Sequence, residues 1–410
     1  MRILFYTQWF DPEPGAIKGP EFVRRLEAAG HEVTVVTGFP NYRLGRLYPG
    51  YKMRMLQREV VDGARVERIP LYPSHSPSSV GRAVNFLSFF LSLFVYGVLR
   101  AGRHDFIYAY HPPITVGLAA SLVGFIRRRP FSIEIQDLWP DMLAASGMPG
   151  TGRLAKVLNP ICNFVYARAS AVIVQSNGMR DRLIDRGVPA DKLSVIRNPA
   201  DPTALDRPAP MSRERLGLAP TFTFLYGGNL GAAQQLSSAV RAAKRAQELG
   251  GDIHLRLMGR GIDADNLKRE AAEIGATNVS FGDPVEKEEV PAVFQAGDVL
   301  LNQWADHPLF NITIPSKTQF YLACGKPILA AMGGETADIL RQSGAAVVVP
   351  SGDSEAMAQA MVAMSRMTPA ELDAMGRSGY DYYQRTFSWD TVIRDTVAAI
   401  DGGMRRWRAR

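Results

Sequence analysis

Five short stretches carry side chains whose types and spacing could hold an anionic, hydroxyl-rich ligand. The longest runs from Pro308 to Glu335. In it Pro315-Ser316-Lys317 leads into a helix-length apolar run that Gly325-Lys326-Pro327 stops. A loop feeding a helix start presents free backbone N–H groups and the positive end of a dipole. Lys317 adds a mobile cation there. Farther on, Gly333-Gly334-Glu335 follows a strand-like Ile328–Ala331, and glycines let a chain pass close to a ligand. The spacing fits a pocket for a phosphorylated or nucleotide-linked donor. It fits an ordinary helix start with a solvated lysine equally well.

Two more glycine loops stand at strand ends in this half, Gly227-Gly228-Asn229-Leu230-Gly231 and Gly259-Arg260-Gly261. Together with Gly333-Gly334, Arg260 and Lys317 they could form a site for a diphosphate. The charge that develops on a leaving diphosphate needs N–H donors and fixed cations. Gln234 and Gln235 could add amide donors at a helix start. In the first half, His111 ends the strand Phe106–Tyr110 with the rigid pair Pro112-Pro113 behind it. A neutral imidazole there could hydrogen-bond a polar substrate; a purely structural histidine is the competing reading. Asp137 and Asp141 flank Trp139 just after another strand. A carboxylate can hold sugar hydroxyls and an indole can stack on a sugar face, but a capped helix start over a buried Trp reads the same way.

Other chemistries lack their residues. No Walker A sequence and no kinase set occur, which argues against ATP-driven phosphoryl transfer. No Gly-x-Ser-x-Gly elbow, no HExxH and no compact His/Asp cluster is present, so no metal is expected. No residue identifies itself as a general base.

The elements that must position these residues repeat a βα pattern. A first strand, Arg2–Thr7, is followed by the loop DPEPGAIKG, a helix over Phe22–Ala29 and a strand at His31–Thr37. The loop is not GxGxxG, so a dinucleotide fingerprint is absent. Asp62-Gly63 predicts a hairpin turn. A Pro-rich stretch after Arg197 reads as a linker, and the βα pattern restarts at Thr221. Domains over 1–200 and 201–385, with a last helix and basic tail over 386–410, follow from this punctuation. Two similar βα halves predict a cleft between them.

The run Ala83–Leu99 is uncharged and rich in Phe and Leu, with Arg82 before it and Arg100 and Arg103 after it. A buried helix, a helix lying in a membrane interface and a spanning helix all remain open for it. Lys and Arg number 47 against 40 Asp and Glu, a net +7. That excess favours anionic partners without choosing among phosphates, nucleic acid and membrane. The two cysteines, Cys162 and Cys324, have neither metal nor disulfide spacing, as in a reducing compartment. The first nine residues read as a strand and not as a signal peptide.

Taken together, these motifs resemble the retaining nucleotide-sugar glycosyltransferases of family four, which have the GT-B fold. The nearer resemblance is to the bacterial branch that adds sugars such as N-acetyl-L-fucosamine during O-antigen or capsule assembly. It is carried by FYTQWFDPEP with GAIKG, Tyr110-His111-Pro112-Pro113, Gln136-Asp137-Leu138-Trp139-Pro140-Asp141, Gly228-Asn229-Leu230-Gly231 and Pro315-Ser316-Lys317 with Tyr321–Pro327. The resemblance implies two Rossmann-like α/β domains facing each other across a cleft. By position, His111 would act at the transferred sugar's reacting carbon, with Asp137 beside it. Gly228, Asn229, Gln234, Arg260, Pro315, Ser316, Lys317, Gly334 and Glu335 would serve the donor's diphosphate and sugar. Asp283 to Val285 would meet the nucleobase. Gly15, Lys18, Gly19 and Asp141 would lie on the acceptor side.

The implied donor is a UDP-sugar and the implied acceptor a lipid-linked glycan. The work would be done on the anionic cytoplasmic face of the inner membrane, without cofactor, metal or nucleic acid. One departure stands out. The wider family's two glutamates fall here on Ile312 and Phe320, so a ribose-binding carboxylate is missing from its usual place. A sugar-nucleotide epimerase of the same architecture and a non-catalytic nucleotide-sugar-binding protein are the other readings.

Overall fold

The computed structural model describes residues 1–410 except 14–16, 43, 75–78, 142–150, 206, 219 and 410. Its chain forms two compact units, residues 1–197 with 389–410, and residues 198–388.

The first unit is built on an eight-stranded sheet. Its strands are β1 (Arg2–Tyr6), β2 (Glu32–Gly38), β3 (Gln57–Val61), β4 (Ala64–Ile69), β5 (Phe106–His111), β6 (Phe131–Ile135), β7 (Ala171–Val174) and β8 (Leu193–Val195), in the order β3-β4-β2-β1-β5-β6-β7-β8. All neighbours are parallel except β3 and β4. Those two are joined at Asp62-Gly63, both with positive φ, 45° and 88°, as a two-residue I′ hairpin requires. The central strands β5, β6 and β7 are buried at every position, which is why they read as continuous apolar runs and not as alternation. Helices α1 (Pro20–Ala28), α2 (Ser79–Arg100), α3 (Ile114–Arg127), α4 (Thr151–Arg168) and α5 (Asn177–Asp185) connect them. The order reverses between β1 and β5. Ligands in open α/β sheets bind beyond the carboxyl ends of strands at such a switch point.

The second unit repeats the scheme with β9 (Phe222–Gly227), β10 (Ile253–Met258), β11 (Val279–Gly282), β12 (Val299–Gln303), β13 (Ile328–Ala331) and β14 (Ala346–Val349), ordered β11-β10-β9-β12-β13-β14 and parallel throughout. Its switch point lies between β9 and β12. The helices are α6 (Leu236–Glu248), α7 (Ala264–Glu273), α8 (Val290–Ala296), α9 (Ser316–Cys324), α10 (Gly334–Ser343), α11 (Ser354–Ser365) and α12 (Pro369–Thr386). A capping box of Thr368 and Glu371 opens the last of these.

The final helix, α13 (Trp389–Arg408), belongs to the first unit. Trp389, Val392 and Ile400 join the core of Phe5, Phe22 and Tyr108, and Arg25 pairs with Asp390 at 2.8 Å. The basic segment expected to be a tail continues this helix through Arg408. Ile393, Val397, Ile400 and Met404 keep one apolar stripe running through it.

Candidate functional site

In the second unit the loops ending β9 and β10 are stitched together. The Gly228 N–H donates to the Met258 carbonyl at 2.9 Å, and the Leu230 N–H donates to the Arg260 carbonyl at 2.9 Å. The Gly259 N–H donates to the Gly282 carbonyl at 3.0 Å, which adds the end of β11. Gly259 has φ +144°, and a Cβ there would stand 1.8 Å from the Gly228 carbonyl oxygen. Only glycine lets the two loops lie this close.

Lys317 reaches this floor from the first turn of α9. Its ammonium sits 3.6 Å from the centre of the Tyr226 ring, and a Cβ on Gly228 would be 2.8 Å from it. No carboxylate pairs with it among the described residues, and burial alone lowers its pKa from 10.5 to about 7. A desolvated cation without an anion, resting on a glycine loop, is poised for an anionic ligand. Pro315 is the N-cap of α9, so Ser316 and Lys317 bring N–H groups without intrahelical acceptors to the same place. The Asn302 amide donates to the Thr318 hydroxyl at 3.0 Å and fixes this turn to β12.

Gly333 caps α10, which begins at Gly334 (φ +67°) and carries Glu335 in its first turn. This turn leans on Asn311, whose carbonyl accepts from the Glu335 N–H at 2.8 Å. The Asn311 side chain donates to Asp306 at 2.8 Å. Gln234 spends its carbonyl oxygen inside the glycine loop, accepting from the Gly231 N–H and from Asn229, both at 3.2 Å. Gln235 takes φ +48° between a short 3-10 turn and α6. Its side-chain oxygen accepts from Ser351. Neither glutamine therefore sits within a continuous helix start, and α6 begins after them at Leu236. Arg260 and Asp283 are exposed, and Val285 is half-buried. Phe320, in place of the expected carboxylate, packs edge-on to Phe294 at 5.6 Å.

In the first unit, His111 is fully buried at the end of β5, and neither ring nitrogen has a hydrogen-bond partner among the described residues. Burial pushes its pKa down to about 3, so the imidazole is neutral. Its ring meets Trp139 edge-on at 5.5 Å, Trp139 meets Phe86 of α2 at 6.2 Å, and Phe86 meets Trp9 at 6.5 Å. Burial raises the pKa of the nearby Asp137.

The residues expected on the acceptor side are placed less uniformly. Gly19 is the N-cap of α1, and Gly15 lies outside the described residues. Asp141 is held by Arg186 at 2.6 Å and Arg182 at 3.2 Å. Lys18 is buried, its ammonium 3.6 Å from Glu134 and 4.5 Å from the Phe22 ring centre. Glu134 also accepts from the Tyr108 hydroxyl and from Gln136 at 2.8 Å. The charge of Lys18 thus lies in the core of the unit, against Glu134. Tyr226, Asn311, Glu134 and Phe86 are the residues that sequence reasoning missed. Tyr226 alone carried a signal, as the last apolar residue before the Gly-Gly loop.

Comparison with known proteins agrees with this layout. Residues 20–199 match the family model described as Glycosyl transferase 4-like domain. Residues 221–366 match that described as Glycosyl transferases group 1. WcaI of Escherichia coli (strain K12), whose name gives it as a colanic acid biosynthesis glycosyl transferase, is 26% identical, over 98% of this chain and 100% of its own. WbjE of Pseudomonas aeruginosa, named as a glycosyltransferase, is 23% identical over 68% of this chain and 70% of its own. Among solved structures, Anabaena HepE in complex with UDP superposes with a TM-score of 0.69 at 18% identity, covering 98% of this chain and all of HepE. These neighbours share the GT-B fold.

Proposed function

Since its two halves carry a glycosyl transferase 4-like domain and a glycosyl transferases group 1 domain, we propose that the chain moves a sugar from a UDP donor to a lipid-linked glycan in surface polysaccharide assembly. The donor sugar in this reading is an N-acetylated hexosamine or deoxyhexosamine. The observation that carries it is Lys317, a half-buried cation lying on the Gly228 loop at the carboxyl ends of the strands. HepE supports the choice of UDP, having been solved with UDP and with UDP-glucose.

The reaction retains configuration. The bond from the anomeric carbon to the diphosphate oxygen breaks, and the acceptor oxygen bonds to that carbon from the same face. The acceptor's proton passes to the departing diphosphate. No protein nucleophile is needed, which suits a site that shows no nucleophile–base pair among the described residues. Lys317, Arg260 and the N–H groups of the glycine loops and the α9 start meet the leaving charge without a metal. Gly334 and Glu335 meet the sugar, and the backbone of Asp283 to Val285 meets the base. His111, held neutral, hydrogen-bonds the sugar beside the reacting carbon, and Asp137 holds its hydroxyls. The work is done at the cytoplasmic face of the inner membrane.

A screen of UDP-, GDP- and dTDP-sugars for protection against thermal unfolding tests the donor assignment, because a ligand of the native state raises its apparent stability. A UDP-sugar is expected to raise Tm most. Equal, negligible shifts from all three classes would sink the reading.

A further inference from the structure

The outer side of α2 is apolar along its whole length. Val80, Val84, Leu87, Leu91, Val95 and Leu99 are exposed, Leu91 at 60% and Leu99 at 70%. Their spacing of three or four residues draws one stripe about 28 Å long at 1.5 Å per residue. The opposite side is fixed in the unit: Phe89, Leu93 and Tyr96 are buried, and a Cβ on Gly97 would strike the Tyr6 hydroxyl at 2.4 Å. Val80–Arg103 is long and apolar enough to cross a membrane. Spanning would strip that packed side from its partners, whereas lying flat keeps it.

The stripe does not stand alone. The carboxyl end of α3 exposes Phe125 and Ile126, and α4 exposes Leu154, Val157 and Phe164. Arg168 of α4 lies over both Phe125, at 4.7 Å, and Phe164, at 5.6 Å, so these two ends adjoin. Arg129 donates to the Gly102 carbonyl at 2.7 Å and ties the end of α3 to the end of α2. Charge on this face has one sign. None of the three helices contains an Asp or Glu. Arg103, Arg127, Arg128, Lys156 and Arg168 stand around it.

From this we infer that the joined outer face of α2, α3 and α4 docks on an anionic phospholipid bilayer, with α2 lying in the plane of the interface. Apolar side chains ringed by cations fit the headgroup boundary of such a bilayer. A second copy of the chain fits less well, because two such faces would set cation against cation. The amino-terminal part of α2 gives the docking a purpose. Phe86 lies on the same helix and touches Trp9 and Trp139, the latter against His111. Just behind it, Asn85 accepts from Gln8 at 2.6 Å and donates to Asn41 at 3.2 Å, holding α2 to the loops that follow β1 and β2. A bilayer seated on α2 therefore lies beside the polar end of the sheet that carries His111. The purpose rests on the lipid-linked acceptor proposed above, but docking itself needs neither donor nor acceptor.

The test is co-sedimentation of the full chain with vesicles of phosphatidylglycerol mixed with phosphatidylcholine, and with phosphatidylcholine alone. Wild type is expected to bind the anionic vesicles, less so in high salt, and to leave the neutral ones largely unbound. Leu87→Asp with Leu91→Asp should weaken anionic binding more than tenfold, while Ile262→Asp, an exposed apolar site in the second unit, should not change it. Arg103→Glu with Lys156→Glu, which touches no core residue, should weaken it about fivefold or more, as surface cations each add to anionic-lipid affinity. Failure of wild type to bind anionic vesicles overturns the inference, as does unchanged binding in both double variants. So does a wild-type dimer, seen by light scattering, that the aspartates convert to monomer while no form binds vesicles. The nucleotide-sugar screen on the same variants reports the donor site separately.

Discussion

Replacing Lys317 by methionine should move stability and ligand affinity in opposite directions. The change keeps the stem against Tyr226 and removes the ammonium. In the folded chain that ammonium has its pKa lowered from 10.5 to about 7, because burial penalises the charge. The unfolded chain binds its proton more tightly, so carrying the charge costs folding free energy. That cost is full below pH 7, shrinks as pH rises from 7 toward 10.5, and is gone above. Each tenfold loss of proton affinity is worth about 1.36 kcal/mol, which puts the ceiling at roughly 5 kcal/mol. Partial exposure and contact with the Tyr226 ring bring the expected gain of Lys317→Met at pH 6 to about 1–3 kcal/mol. A diphosphate reverses the balance by supplying the missing anion. Losing one charge-assisted hydrogen bond is worth about 1.5–3 kcal/mol, or roughly 10- to 150-fold in Kd. Because the free lysine is half neutral near pH 7, wild-type affinity for UDP should fall toward about tenfold per pH unit above that point. A terminal phosphate with a second pKa of about 6 is already ionised there. Affinity of the variant should be flat from pH 7 to 9. Calorimetric titration with UDP across that range, beside thermal melts at pH 6 and 9, decides the matter. A variant that melts lower than wild type at pH 6, or binds UDP equally well at pH 7, would refute the assignment of Lys317 to the donor phosphates.

Three further outcomes follow from the same physical terms. His111→Phe should abolish sugar transfer yet raise stability by about 1 kcal/mol or more, since it replaces buried nitrogens without partners by an apolar ring; retained product formation would remove His111 from the chemistry. Lys18→Met should cost about 3 kcal/mol in chemical denaturation by leaving Glu134 buried without its cation, and adding Glu134→Gln should recover most of it. An acceptor KM raised by Lys18→Met without loss of stability would instead make it a binding residue. Gly259→Ala should destroy UDP binding in the thermal-shift assay, because its φ of +144° and the Gly228 carbonyl 1.8 Å from the new methyl force the two loops apart; an unchanged shift would show that the loops need not touch.

Local signals were legible where one residue type dictates one backbone state. Asp62-Gly63 announced its hairpin, and Pro315-Ser316-Lys317 announced the start of α9. The βα alternation pointed to both parallel sheets, because buried parallel strands are apolar at every position. What stayed hidden depends on partners distant in sequence. Nothing in the loop around Lys18 announces the Glu134 that β6 brings beneath it. Asp141 reads as a hydroxyl holder or a helix cap until Arg182 and Arg186 arrive from the region of α5. The last helix outruns the boundary its basic residues suggest, because an apolar stripe continues among them. An uncharged run such as 83–99 shows its apolar content but not which side is buried. Only the packing of Phe89 and Leu93 beside the exposure of Leu87 and Leu91 separates the two faces.

Phe320 follows Lys317 by three residues on α9 and packs behind the glycine loop. Its ring meets Phe294, and the Phe294 ring in turn fills the space that a side chain at Gly227 would need, with one ring atom 2.5 Å from the missing Cβ. Phe294 also meets Tyr321 edge-on at 5.1 Å. This apolar wall backs the glycine loop. Burial lowers the pKa of Lys317, and no anion among the described residues offsets it. Lys317 thus carries a charge without a partner among those residues, and a diphosphate would supply the missing anion.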